Sequence, residues 1–212
     1  MIYRLGELFC GPGGIAWGAM NADIGIPDFR IVHQWANDYD ADTCNTYRHN
    51  ICPDAPETVY HEDIRKFDMS HLAPIDALAF GFPCNDYSVV GEQKGMNGVY
   101  GPLYSYGVKA LKMFKPIWFL AENVGGLKNA NDGKAFTKII AELKGAGYTV
   151  VPHLYKFEEY GIPQARHRII IVGIRNDIDV VYHVPSTALY ADVDNSCRTA
   201  IEVPPIPQNA FN

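Results

Sequence analysis

Short apolar runs alternate with helical patterns along most of the chain, and this alternation limits the folds that the chain can adopt. Apolar and β-branched runs bounded by turn residues predict buried strands, and a repeat of three to four residues predicts helices. Strands are predicted near residues 3–9, 31–37, 57–61, 75–82, 116–122, 148–157 and 168–175, and helices near 13–22, 40–49, 102–114 and 133–146. This order predicts an α/β fold, a mainly parallel sheet with helices on both faces.

A cysteine follows one of the most apolar of these runs. The run from Ile75 to Phe82 is predicted to be a buried parallel strand, and Pro83 and Cys84 come directly after it. Open α/β sheets bind ligands at the carboxyl ends of their strands, so a thiol here is a candidate nucleophile. Glycines 91, 95, 98 and 101 suit a mobile flap over such a site. The alternative is a small buried thiol, because free cysteine usually acts as a hydrophobe.

Two further polar segments follow the first two strands. A glycine turn, Cys10 to Gly14, leads from the first strand into a helix, and glycines allow a ligand to approach backbone amides closely. Asp38 ends the second strand, where an acid accepts hydrogen bonds from ribose hydroxyls in dinucleotide folds, and Tyr39 is placed to stack on a purine. A tight connection at the glycines, and helix capping by Asp38 and Asp40, are the competing interpretations.

An acid and two arginines complete the pattern. Glu122 follows the apolar strand Ile117 to Ala121, and a low-dielectric crevice there favours the acid form, which suits a proton donor. Arg166 and Arg168 alternate as they enter the strand from Ile169, so they share one face and are able to clamp a phosphate or carboxylate. Surface arginines are the default interpretation of such a pair.

These four segments, in this order, resemble the cytosine-5 DNA methyltransferase family. The segment from Phe9 to Gly14 is similar to its cofactor motif, and Pro83-Cys84 is similar to its nucleophile motif. The segment from Glu122 to Val124 is similar to its acid motif, and the segment from Gln164 to Arg168 to its arginine motif. The resemblance covers residues 5 to about 175. It implies a Rossmann-like S-adenosylmethionine-dependent methyltransferase fold, in which the segment 148–155 and the strand after it pair antiparallel at one edge of the sheet.

The resemblance implies methyl transfer from S-adenosyl-L-methionine to carbon 5 of a flipped-out cytosine. Cys84 would add to carbon 6 as a thiolate and so activate carbon 5, which is covalent catalysis. Glu122 would hold or protonate ring nitrogen 3, and Arg168 would bind the carbonyl oxygen and orient Glu122. Arg166 would lie beside it, against the base or the sugar-phosphate backbone.

The family also implies a set of binding residues. The implied cofactor site comprises Phe9, Gly11, Gly14, Asp38, Tyr39, Asp63, Ile64 and Leu103. The implied substrate-binding residues are Pro83, Asn85, Ser88, Asn123 and Gln164. Asn85 departs from the family pattern, because glutamine usually follows the Pro-Cys pair.

The family pattern also divides the chain. Residues 1–184 are expected to form the catalytic and cofactor-binding domain, and residues 185–212 a tail that leads toward a target-recognition domain. That domain is expected to lie outside these residues, in the same or a second polypeptide, and to supply most contacts to duplex DNA. The net charge of −6 agrees, because affinity for duplex DNA depends on cations that neutralise phosphates.

Composition limits the kinds of site and the cellular location that this sequence can have. Five cysteines form no C-x-x-C pair and seven histidines are scattered, so no metal site is predicted. With no long apolar run and no secretory signal, we expect a soluble protein without membrane contact, in a prokaryotic cytoplasm and near the nucleoid when bound to DNA. Two alternatives stay open, namely the transfer-RNA branch of the same family and a catalytically silent binding module.

Overall fold

The fold is known from a computed structural model that describes residues 1–22, 24–83, 103–128 and 133–190. Its strands are β1 (Ile2–Leu8), β2 (Arg30–Asp38), β3 (Val59–His61), β4 (Ala77–Phe80), β5 (Trp118–Val124), β6 (Tyr148–Lys156) and β7 (His167–Arg175). Its α-helices are α1 (Gly14–Met20), α2 (Ala41–Asn50), α3 (Tyr104–Phe114) and α4 (Lys134–Gly145). The predicted tail lies largely outside the described residues. None of the described helices combines the length and the apolar character needed to span a membrane.

The strands form one sheet in the order β3-β2-β1-β4-β5-β7-β6. The first five strands in that order are parallel, and β7 pairs antiparallel with both β5 and β6. The predicted mixed sheet is therefore confirmed. Because β1 pairs with β2 on one side and with β4 on the other, the strand order reverses at β1. Such a reversal opens a crevice at the carboxyl ends of the strands.

Alternation along the strands gives the sheet two buried faces. Leu78 and Phe80 of β4 pack with α3 and α4 in one core, and Ala77 and Ala79 pack with α1 and α2 in the other. Helices thus cover both faces, as predicted. The smaller alanine side chains lie on the face of α1, which also borders the crevice.

Strand β4 is shorter than the predicted run 75–82. It ends at Phe80, the last residue that pairs with both β1 and β5. The neighbouring strand β1 turns out of the sheet at Phe9, whose φ is 54°. Residues 81–83 therefore have no strand partner on that side and lead out of the sheet toward the crevice.

Gly173 is required by the packing of β7 on β5. It pairs with Phe119, and a Cβ at Gly173 would lie 2.0 Å from Cε1 of that ring. We expect Gly173→Ala to lower the free energy of unfolding by about 1–3 kcal/mol, because overpacking forces the ring or the strand to shift. Urea unfolding measures this.

Gly145→Ala is the matched control. It lies at the end of α4, where an added Cβ would meet nothing within 4 Å. It should leave stability unchanged or raise it by up to about 1 kcal/mol, because glycine in a helix is less stable than alanine. Equal losses in the two variants would contradict the packing argument.

Candidate active site

The glycine turn is fixed between the ends of β1 and β2. Gly11 and Gly13 have φ values of 56° and 98°, which glycine adopts without strain. The amide of Gly11 donates to Oδ2 of Asp38 at 2.9 Å, and the amide of Cys10 donates to the Asn37 carbonyl at 3.1 Å. A Cβ at Gly11 would meet nothing within 4 Å, so the turn presents bare backbone to an open space.

A cleft of about 680 Å³ lies beside this turn. Six predicted site residues line it, namely Phe9, Gly11, Gly14, Glu122, Arg166 and Arg168. Its other lining residues were not predicted: Leu5, Cys10, Ile15, Gly18, Ala19, Ala79, Gly81, Trp118, Leu120, Phe157 and Ile170. Most of these are apolar residues of the sheet or of α1, and no local signal separates them from core residues.

A second, smaller cavity of about 90 Å³ adjoins Phe9, which lines both. Its lining contains six residues predicted for cofactor or substrate, namely Phe9, Tyr39, Asp63, Ile64, Pro83 and Leu103, together with Arg65. Ile64 and Leu103 are buried, whereas Tyr39 is 72% exposed. The cavity therefore combines apolar walls, an exposed aromatic ring and one carboxylate, which suits a flat heteroaromatic ring with an amino group.

Arg65 was not predicted, although it lies two residues after Asp63. Its Nε donates to both oxygens of Asp63, at 2.9 and 3.0 Å, and its own amide donates to Oδ1 at 3.0 Å. These hydrogen bonds lower the pKa of Asp63 to about 2. Asp63 is thus an ionised acceptor with a fixed orientation.

Glu122 and Arg168 form an ion pair on the wall of the main cleft. Nε of Arg168 lies 2.8 Å from Oε1 of Glu122, and both side chains are about a quarter exposed. Glu122 belongs to the end of β5, and Arg168 belongs to the beginning of β7, which runs in the opposite direction. Arg166 also lines the cleft, but it is exposed and precedes the strand.

Asn123, which was predicted to bind substrate, lines neither cavity. It is only 1% exposed, and its Nδ2 donates to the carbonyl of Phe82 at 2.9 Å. The alternation of β5 explains this, because Glu122 points to the cleft and the next residue must point to the opposite face. Asn123 therefore ties β5 to the segment that leads to residue 84.

The remaining predicted residues divide into three groups. Asp38 is 8% exposed, and its carboxylate accepts from Gly11 and from the amide of Asp40 at 3.1 Å, so part of its capacity is used within the protein. Gln164 lies in an exposed loop and lines neither cavity. Cys84, Asn85 and Ser88 lie outside the described residues. Within the described ranges, no three His, Cys, Asp or Glu side chains are grouped as a metal site would require.

Comparison with known proteins adds a family match to this geometry. Residues 3–204 match the family model described as C-5 cytosine-specific DNA methylase. The chain is 55% identical to the type II methyltransferase M.BbvI of Brevibacillus brevis, over all of this chain and 59% of M.BbvI. It is 33% identical to M.NgoFVII of Neisseria gonorrhoeae, over 97% of this chain and 54% of that protein. The chain thus spans little more than half the length of these relatives, and nothing in them supports a second polypeptide.

Solved structures agree on the fold. The Dnmt2 methyltransferase of S. pombe superposes with a TM-score of 0.62 at 16% identity, over 86% of this chain and 52% of that one. The methyltransferase EhMeth of Entamoeba histolytica gives a TM-score of 0.63 at 18% identity, over 88% of this chain and 57% of that one. At these identities the likeness supports the fold alone.

Proposed function

Because this chain belongs to the C-5 cytosine-specific DNA methylase family, we propose that it is the catalytic part of a DNA (cytosine-5-)-methyltransferase that uses S-adenosyl-L-methionine. The type II relatives extend the proposal to the modification half of a bacterial restriction system, acting on duplex DNA in the cytoplasm. Residues 1–184 would be the catalytic domain, and a target-recognition domain beyond them would supply most groove contacts.

One observation carries this proposal, namely the polar groups gathered around the strand-order reversal. The glycine turn after β1 and the Glu122–Arg168 pair line one cleft, and Pro83 lies in the adjoining cavity directly before Cys84. Addition of a thiolate to a pyrimidine requires a nucleophile, a proton donor and a cation, and Cys84, Glu122 and Arg168 would supply these groups.

The residues around the two cavities fit S-adenosyl-L-methionine, whose sulfonium supplies an electrophilic methyl group. Tyr39, Ile64 and Leu103 would enclose the adenine, and the ionised Asp63 would accept from its amino group. Phe9, Gly11 and Gly14 would contact the methionine part, because Phe9 joins the two cavities and the glycines face the larger one.

The proposed mechanism divides methyl transfer into addition and elimination. The thiolate of Cys84 bonds to carbon 6 of the flipped cytosine, and Glu122 holds the proton at ring nitrogen 3 as charge enters the ring. Arg168 binds the ring carbonyl oxygen and orients Glu122, to which it is already paired. Methyl transfer to carbon 5 would leave S-adenosyl-L-homocysteine as the by-product. A base would then remove the proton on carbon 5, and the bond between carbon 6 and the Cys84 sulfur would break. Asn85, Ser88, Arg166 and Gln164 would line the flipped base and its phosphates, and Asn123 would support them through Phe82.

Asp38→Ala should weaken binding of S-adenosyl-L-methionine by about 1–3 kcal/mol, the usual effect of removing a charged hydrogen-bond partner. The variant would lose the proposed hydrogen bonds to the ribose, and it would also lose the hydrogen bond that the Asp38 carboxylate accepts from the amide of Gly11. Isothermal calorimetry on the 212-residue chain measures the affinity.

Asp40→Ala is the matched control for this variant. Asp40 caps α2 by accepting from the amide of Thr43 at 2.8 Å, and its own amide would still donate to Asp38. It should lose some stability, because α2 loses its cap, while its cofactor affinity stays within about twofold of wild type. If Asp38→Ala bound the cofactor as tightly as Asp40→Ala, the ribose would have to be held elsewhere.

Transfer of a labelled methyl group tests the function itself. The full-length protein is incubated with labelled S-adenosyl-L-methionine and either duplex DNA or transfer RNA, and the product nucleoside is identified. We expect label in 5-methylcytosine of DNA, since the curated relatives are type II methyltransferases. Label only in transfer RNA would assign the chain to the other branch of the family, and label in neither would refute the proposal.

A further inference from the structure

Beneath the glycine turn, four side chains form a continuous chain of hydrogen-bond contacts. Oε2 of Glu7 lies 2.5 Å from the hydroxyl of Tyr47, which lies 3.1 Å from Nδ1 of His33. Nε2 of His33 lies 2.8 Å from the hydroxyl of Thr58, which donates to the carbonyl of Ala55 at 2.6 Å. Glu7 is 1% exposed and Tyr47 is fully buried, so water does not compete at that end.

Counting hydrogens along these four side chains shows that all their contacts are hydrogen-bonded at once only when an additional proton is present. Thr58 uses its only hydroxyl hydrogen on Ala55, because two oxygens at 2.6 Å repel without one. Nε2 of His33 must then donate to Thr58, and in a neutral imidazole Nδ1 is left as an acceptor that needs the hydrogen of Tyr47. With Glu7 ionised, the hydroxyl of Tyr47 donates to Oε2 of Glu7 at 2.5 Å. If Tyr47 donates to Nδ1 of His33 instead, Glu7 must be the donor to Tyr47, which requires its carboxyl group to be protonated. If Glu7 is ionised and His33 neutral, one contact has no hydrogen.

The surroundings of these groups favour a protonated Glu7 beside a neutral His33. Burial raises the pKa of Glu7 to about 7 and lowers the pKa of His33 to about 4. The other titratable groups that face the chain are Cys10, Cys52 and Tyr47 itself, and burial raises the pKa of each. The proton is therefore held at Glu7 in mildly acid solution and lost as the pH rises through neutrality.

The hydrogen-bonded side chains contact the glycine turn and the helix that follows it. The amide of Ala16, in the first turn of α1, also faces Glu7 and favours its ionised form, which lowers the pKa. The ring of Tyr47 packs under Gly13, where an added Cβ would lie 3.1 Å from Cδ2. The same two side chains thus contact the amino end of α1 and the floor of the turn. A change in their hydrogen bond would be transmitted directly to both.

We propose that Glu7, Tyr47 and His33 are positioning residues for the cofactor, and that the proton they hold keeps the glycine turn in its binding conformation. This inference rests on the proposed cofactor site. Loss of the proton leaves the Tyr47–His33 contact without a hydrogen, so the Tyr47 ring that packs under Gly13 loses one of its two anchors and cofactor affinity falls. None of the three residues lines either cavity, so the effect is indirect.

The test is the pH dependence of S-adenosyl-L-methionine affinity, measured by calorimetry from about pH 6 to about pH 9. Relative to Glu7→Gln, wild type should lose about fivefold or more in affinity over this range, a common size for coupling between sites. Glutamine donates to Tyr47 at every pH. The cofactor affinity of the Glu7→Gln variant should therefore change with pH only through the titration of the cofactor itself. Glu142→Gln on the exposed face of α4 is the matched control and should follow wild type.

Thr58→Val gives a second variant that keeps Glu7. Without the hydroxyl, His33 is free to donate from Nδ1 to Tyr47, and Tyr47 to an ionised Glu7, so the chain is complete without the additional proton. The Ala55 carbonyl still accepts a hydrogen bond from the backbone amide of residue 58, which lies 3.2 Å away in wild type. We expect the fivefold response to be lost in this variant also. A wild-type response that persists in both variants would overturn the proposal.

A readout independent of the cofactor separates this inference from the function on which it rests. Infrared spectra of wild type near pH 6 should show a carboxylic-acid carbonyl band that is absent in Glu7→Gln and disappears as the pH rises. If no variant binds the cofactor, the proposed function fails and the positioning role fails with it, whatever the spectrum shows. If the cofactor binds but the band is absent or the affinity profiles coincide, the positioning role alone is refuted.

Discussion

Cys84→Ser is expected to abolish methyl transfer and covalent trapping on duplex DNA that contains 5-fluorocytosine. A serine hydroxyl is almost never ionised at neutral pH, whereas a thiol is both more acidic and more nucleophilic, so the rate should fall by about a thousandfold or more. The fluorine at carbon 5 blocks elimination, so the wild-type enzyme stays attached to the DNA. The assay is a gel shift of the full-length protein that survives denaturation.

Two controls distinguish loss of the nucleophile from loss of the fold. Cys84→Ser should bind S-adenosyl-L-methionine as wild type does. Cys52→Ser changes a thiol that is 6% exposed in the core beneath α2, and its folded fraction should still be trapped. Trapping that persisted in Cys84→Ser, or that was lost equally in Cys52→Ser, would remove Cys84 from the mechanism.

Glu122→Gln is expected to lower kcat by about 10²–10⁴-fold, the usual contribution of a general acid or base. The amide cannot exchange a proton with ring nitrogen 3, and it also loses the charge that pairs with Arg168 at 2.8 Å. Single-turnover methylation by the full-length protein measures the chemical step. Cofactor affinity should change by no more than about twofold, because the proposed adenine and ribose contacts remain.

The activity losses from changing Glu122 and Arg168 should not be independent of each other. Arg168→Met alone is expected to cost about as much as Glu122→Gln, and the double variant much less than the product of the two, because groups that act together are not additive. Glu142→Gln should retain full activity, because the Glu142 carboxylate lies on the outer face of α4, 3.9 Å from Lys138. Fully multiplicative losses would mean that Glu122 and Arg168 act independently.

Much of the fold could be predicted because the relevant signals are local. The glycine turn, the acid near the end of β5 and the arginines near the start of β7 each lie at a strand end, and a strand end is visible as the place where an apolar run stops. The direction of the strands follows from the alternation with helices, and the family match confirms the resulting fold. The Glu122–Arg168 contact was expected from the resemblance rather than from spacing.

Contacts between distant residues could not be predicted in this way. Glu7 and Tyr47 are forty residues apart, and Asn123 and Phe82 are forty-one apart, so no periodicity indicates that they touch. The early end of β4 depends on Phe9 leaving the neighbouring strand, which is a property of the sheet rather than of the run 75–82. Periodicity indicates which face a residue occupies, but the partner on that face is decided by the tertiary fold.

The reversed direction of β7 decides which parts of the sequence are able to vary in length. In a parallel strand the residues at the crevice are followed by a loop, and an insertion there leaves the strand in place. Arg168 instead precedes the body of β7, where Ile170, Ile171 and Val172 pair with β5 and with β6. One residue inserted between Arg168 and Ile171 would turn the arginine to the opposite face and away from Glu122. Evolutionary insertions and deletions should therefore be tolerated in the loop before Arg166 and excluded from the three residues after it.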